Sequence, residues 1–167
     1  MNHYPHSVRN QSLLYLETSL FGFYHDDSPH NYNRREAVKT LLHQIEMGIL
    51  KAVTSPVTRD ELAAAAEPLR SRLLSLLSEI DIQQADETAV RRLSNRYVSE
   101  RVIPAGYIDD ARHAAYATLL GADVLVTLNL QHLASEWAER KLNGVNMLEG
   151  YPAISIRTPE EVVFHED

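Results

Sequence analysis

The amino-acid sequence predicts an α/β fold: a parallel sheet layered between helices, in three-layer α/β/α form. Two observations carry this. Short apolar runs of strand length alternate with segments of helical period in the order β-α-β-α-α-β-α-β-α-β, which is the pattern of parallel strands joined by helical crossovers. No internal repeat, low-complexity tract or linker interrupts the 167 residues, a length at which one domain buries a sizeable core. A single domain is expected over residues 12–167. A flexible N-terminal arm is expected at residues 1–11, which carry His and Asn but no apolar segment of the secretory kind.

The elements follow from local chemistry. Ser12-Leu-Leu-Tyr-Leu-Glu17 is a short apolar run closed by a carboxylate and reads as a buried strand. Phe21 to Pro29 begins with aromatics and ends in turn residues, as a loop or broken helix does. Ala37, Leu41, Leu42, Ile45 and Ile49 recur at helical spacing, with Asn33 as N-cap and Gly48 near the end. Lys51–Ser55 is a second strand. Thr58-Arg-Asp-Glu61 has the form of a capping box opening an alanine-rich helix. Pro68 opens the next helix, whose stripe is Leu69, Leu73, Leu74 and Leu77. Ile80–Gln83 reads as an edge strand. Asp86 heads a helix that turns Val90, Leu93 and Tyr97 inward. After a turn at Ile103–Gly106, a helix over Asp109–Leu120 stops at Gly121 and the strand Asp123–Thr127 follows. A helix is expected over Leu130–Leu142, ending at Asn143-Gly144. Ile154–Ile156 is the last strand, and Thr158–Glu161 forms a final capped turn.

Bulk properties narrow the function. With no cysteine, disulfides, thiolate metal sites and cysteine nucleophiles are excluded, which fits a cytoplasmic address. No apolar run approaches the ~20 residues of a membrane span. The formal net charge is −7, so a polyanionic substrate would have to be met through metal cations or a local basic patch. A basic partner protein also suits that charge. The scattered glycines form no phosphate-binding loop, and no G-x-S-x-G elbow is present.

Four polar residues stand at the ends of apolar elements: Glu17 after the first strand, Glu61 in the helix after the second, Asp110 in the helix before the strand 123–127, and Asn129 just past that strand. Parallel strands would bring Glu17 and Asn129 to one carboxyl edge, where ligands of α/β sheets gather. Carboxylates meeting there would repel one another unless a cation intervened, and hard oxygen donors without thiolates point to Mg²⁺ or Mn²⁺. Ordinary readings stand beside each. Glu61 is the capping-box glutamate of Thr58; Asp110 and Asp109 favour a helix N-terminus; Asn129 is a turn residue. His113, one turn after Asp110, can orient a carboxylate, contact phosphate or pack. Thr18 and Ser19 follow Glu17 and can hold phosphate or cap a turn. Gln131 and His132 can approach the same edge.

Leu14–Tyr24, Val57–Leu62, Asp110–Ala117 and Asp123–Leu133 resemble, in order, the four motifs of PIN-domain nucleases. The tail Gly144–Val162 is similar to a bacterial branch classed with type II toxin (VapC-like) ribonucleases. The resemblance implies a five-stranded parallel sheet in the order 3-2-1-4-5 and a Mg²⁺- or Mn²⁺-dependent endoribonuclease. It places metal-binding acids at Glu17, Glu61 and Asp110, with Asn129 completing the catalytic set. It also implies an RNA substrate and a small basic antitoxin partner. Independently of the resemblance, the aromatic loop and the first helices can offer a surface for a homodimer. The sequence departs from the family twice: Glu17 stands where the first acid is usually Asp, and Asn129 stands where an acid is common. These departures give the alternative expectation, a catalytically weak or inactive PIN-like module that binds RNA or protein.

Overall fold

The computed structural model describes residues 12–165, so the arm expected at residues 1–11 lies outside the described residues. Five strands form one parallel sheet: β1 (Leu13–Leu16), β2 (Lys51–Thr54), β3 (Asp81–Ile82), β4 (Val124–Val126) and β5 (Ser155–Arg157). Their spatial order is β3-β2-β1-β4-β5, as expected. Leu14 of β1 sits between Ala52 of β2 and Val124 of β4.

Alternation of side chains along the central strands produces the layers. Leu14 and Leu16 of β1 and Val124 and Val126 of β4 enter one apolar core, while Tyr15 and Leu125 enter the other. The first core is covered by α1 (Ser19–Tyr24), α2 (Tyr32–Glu46), α4 (Leu69–Leu77) and α8 (Pro159–Val162), through residues such as Phe21, Leu41, Leu73 and Val162. The second is covered by α5 (Glu87–Ser99), α6 (Ile108–Leu119) and α7 (Glu136–Glu149), through Leu93, Ala114, Tyr116 and Leu142. The helix α3 (Pro56–Ala63) straddles the two, with Val57 in one core and Leu62 in the other. No helix among the described residues is long and apolar enough to cross a membrane.

Three local expectations are corrected, each for a physical reason. The helix α3 starts at Pro56, and its N-cap is Ser55, whose hydroxyl accepts from Val57 N–H. Thr58 is therefore inside the helix, its hydroxyl 2.8 Å from that of Thr54, and the expected Thr58–Glu61 capping box does not form. The box at Thr158 does form, with Thr158 N–H donating to Glu161 at 3.0 Å. The helix expected over Leu130–Leu142 instead runs from Glu136 to Glu149. Ser135 caps its start by accepting from Ala138 N–H, and Gly150, with φ of 83°, ends it in the left-handed conformation glycine takes without strain. Finally, α2 opens at Tyr32, so Asn33 lies within its first turn rather than capping it.

A candidate active site at the carboxyl edge of the sheet

The carboxyl ends of β1 and β4 sit side by side, and the polar residues that follow them meet. The ladder continues one step past β1, where Glu17 N–H donates to the Val126 carbonyl at 3.1 Å. Glu17 is only 5% exposed, and a carboxylate that deep needs donors. It has them. Ser19 N–H reaches Glu17 Oε2 at 2.8 Å, and the Thr127 hydroxyl reaches Oε1, also at 2.8 Å. The Thr127 oxygen accepts in turn from Asn129 N–H, and the Ser19 oxygen accepts from Leu128 N–H. The first turn after β1 and the first turn after β4 are thus tied together through Glu17 and Ser19.

Glu61 comes to the same edge from α3. Its Oε1 accepts from the Thr18 hydroxyl at 2.9 Å and lies 2.5 Å from Nε2 of His113 on α6. Burial by itself would push the Glu61 carboxyl up, but the hydrogen bonds from His113 and the Thr18 hydroxyl oppose it, and Glu61 is held below the usual carboxylate range. His113 is almost wholly buried. Its Nδ1 lies 2.7 Å from the Tyr15 hydroxyl, which lies 2.6 Å from the Ser55 hydroxyl. Burial, opposed by hydroxyl contacts from Ser55 and Thr58, drives Tyr15 ionisation far above its ordinary value, so the phenol keeps its proton. A phenol donating to Nδ1 leaves the imidazole N–H on Nε2, aimed at Glu61. The sequence alone did not point to Tyr15 or Ser55 as parts of the site. The available signal was a tyrosine among leucines in a buried strand, whose hydroxyl must find a partner.

Asp110 sits in the first turn of α6, and its Oδ2 is 2.9 Å from Nδ1 of His132. His132 lies in the segment between β4 and α7, where Asn129 Oδ1 accepts from its backbone N–H at 3.0 Å. Its ring packs against Tyr107, with centroids 3.9 Å apart. Asp109, by contrast, faces outward and pairs with Arg112, and Asp123 accepts from Leu13 N–H at the opposite end of the sheet.

The sequence-predicted residues therefore do assemble at one edge, in two hydrogen-bonded groups. Glu17, Ser19, Thr127, Asn129, His132 and Asp110 form one chain of contacts. Thr18, Glu61, His113, Tyr15 and Ser55 form the other, and the peptide bond between Glu17 and Thr18 links the two. As donors to a hard cation, the oxygens are of the right kind. Their arrangement does not fit one: among the described residues, no group of three His, Cys, Asp or Glu side chains is placed to hold a metal ion. Each carboxylate is instead engaged by a hydroxyl, a backbone N–H or an imidazole. A cleft of about 580 Å³ along α7, with Arg140, Asn143 and Met147 in its wall, shares no residue with this edge.

No protein-family model matches the sequence, and no curated protein matches it significantly. Among solved structures, the chain is similar to one in VapBC-1 from nontypeable Haemophilus influenzae, with a TM-score of 0.55 and 14% identity. The match covers 89% of this chain and 98% of that one. At that identity the likeness concerns the fold, which is PIN-like in both its sheet order and its helical layers.

Proposed function

We propose that this chain is an endoribonuclease of the toxin kind, cleaving RNA phosphodiester bonds at the edge where β1 and β4 end. One observation carries the reading: Glu17, Glu61, Asp110 and Asn129, which lie as many as 112 positions apart in the sequence, gather at the carboxyl edge of a sheet ordered β3-β2-β1-β4-β5. That is where sites form in α/β folds. The fold shared with VapBC-1 supports a toxin–antitoxin setting, and the net charge of −7 suits a small basic antitoxin.

The edge offers two imidazole–carboxylate pairs, Glu61–His113 and Asp110–His132. In the second pair Asp110 holds the His132 imidazole in one orientation through Nδ1, and Nε2 can accept a proton from a hydroxyl or water in contact with it, whereas both nitrogens of His113 are already engaged by Tyr15 and Glu61. For the Mg²⁺ or Mn²⁺ implied by the resemblance, the described residues offer no preformed group of three His, Asp or Glu ligands. The test is cleavage of single-stranded RNA by the purified protein, with and without Mg²⁺ or Mn²⁺. Asp110→Asn is expected to abolish cleavage while the circular dichroism spectrum is unchanged; full-rate cleavage by that variant overturns the assignment.

A second reading has its own observation. Every carboxylate at the edge already has a partner within the chain, as in a module that binds RNA or protein without turnover. Absence of cleavage in any metal, together with RNA retention in a filter-binding assay, selects this reading.

A further inference from the structure

We infer that His113 and His132 stand in for a cation at this acidic edge, so that a divalent metal binds tightly only when a histidine releases its carboxylate. The inference takes from the proposed function only that a cation is sought here.

The bonds make the case. Both oxygens of Glu17 are occupied, Oε2 by Ser19 N–H and Oε1 by the Thr127 hydroxyl. Oε1 of Glu61 receives both His113 and Thr18. Oδ2 of Asp110 receives His132. A metal ion must approach a carboxylate oxygen to ~2.0–2.2 Å, and an N–H or O–H already directed at that oxygen presents a partial positive charge to the incoming ion. This holds whether the imidazole is neutral or cationic, because in either state the proton faces the carboxylate.

Both histidines are braced. Tyr15 backs His113 at Nδ1. Asn129 holds the backbone of His132, and Tyr107 packs on its ring. Asn129 thereby has a task beside the place in the catalytic set implied by the resemblance: its Oδ1 accepts from the His132 backbone N–H and fixes the turn that presents His132. His132 is the more accessible of the two, with a side chain 10% exposed against 1% for His113, so it is the one a cation meets first.

The experiment titrates Mn²⁺ into the full chain at constant pH and follows free Mn²⁺ by electron paramagnetic resonance. Wild-type protein is expected to bind with a Kd of about 1 mM or weaker. His132→Phe keeps a ring against Tyr107 and removes the N–H. It is expected to bind Mn²⁺ about tenfold more tightly, the scale of one hydrogen bond to a charged group. Adding Asp110→Asn should erase that gain. If the Phe variant fails to fold by circular dichroism, His132→Ala answers the same question. Micromolar binding by wild type overturns the inference, and so does a His132 variant that binds no better than wild type. RNA cleavage assayed on the same proteins separates the two claims. A gain in Mn²⁺ affinity with no cleavage by any variant keeps this inference and removes the nuclease reading. Mn²⁺-dependent cleavage without the gain does the reverse.

Discussion

Replacing Tyr15 by Phe deletes one oxygen atom at a fully buried position and tests whether the site is built from the core outward. The hydroxyl lies 2.6 Å from Ser55 Oγ and 2.7 Å from His113 Nδ1. Ser55 keeps its bond from Val57 N–H, so the serine loses one partner of two. His113 Nδ1 loses the only partner described for it, in a residue 1% exposed. A buried acceptor left unpaired costs about 1–3 kcal/mol, whereas an ordinary lost bond costs about 1 kcal/mol. Removing the phenol's own desolvation offsets part of this, and the ring shape is kept, so no large cavity opens. The expected destabilisation is about 2 kcal/mol, or a fall in Tm of about 4–8 °C for a chain of this size. Urea denaturation followed by circular dichroism measures it, with Tyr97→Phe as the comparison, since the Tyr97 hydroxyl donates to Asn146 in a similarly buried place. A Tyr15→Phe protein within about 0.5 kcal/mol of wild type would refute the view that Tyr15 and Ser55 brace His113.

Two further expectations are simpler. Glu61 is held below the usual carboxylate range, so the stability it contributes is complete above that range and is lost as pH falls through its lowered value. Glu61→Gln should therefore be less stable than wild type near pH 7, modestly because the side chain is 35% exposed, and the two melting curves should converge on acidification; a gap that widens toward acid pH contradicts the pairing with His113. Ser135→Ala removes the cap of α7 and should cost about 1 kcal/mol in a denaturant titration; an unchanged midpoint would show that the helix start is held by other contacts.

The sheet was legible because parallel strands buried on both faces leave continuous apolar runs such as Leu13–Leu16 and Val124–Val126, set between longer segments of helical period. Helix boundaries were less so where two caps competed. Ser55 followed by Pro56 caps α3 ahead of Thr58, because the Thr58 hydroxyl is drawn to Thr54 at the end of β2. The start of α7 was displaced because Leu130 and Leu133 continue a helical spacing, although Leu133 is buried in the preceding loop. At the site, the four end-of-element residues could be read from position alone. Their partners could not: Tyr15 meets His113 across 98 residues and Thr127 meets Glu17 across 110, and such pairings depend on strand order and register.

The central place of β1 has a consequence for how the chain is made. Among the described residues it precedes the other strands in the chain, yet one of its two neighbours, β4, comes after both β2 and β3: Leu13 and Asp123, which join at its start, are 110 residues apart. At ~5–20 residues per second, roughly 5–20 s separate the emergence of the two from the ribosome. During that interval β1 can pair only with β2, and Tyr15 lacks the helix that will carry His113. The half-assembled sheet presents an open strand edge with apolar side chains on both faces. The nascent chain is most prone to sticking then, and burial of that edge waits on the arrival of α6 and β4, the same segment that completes the acidic edge.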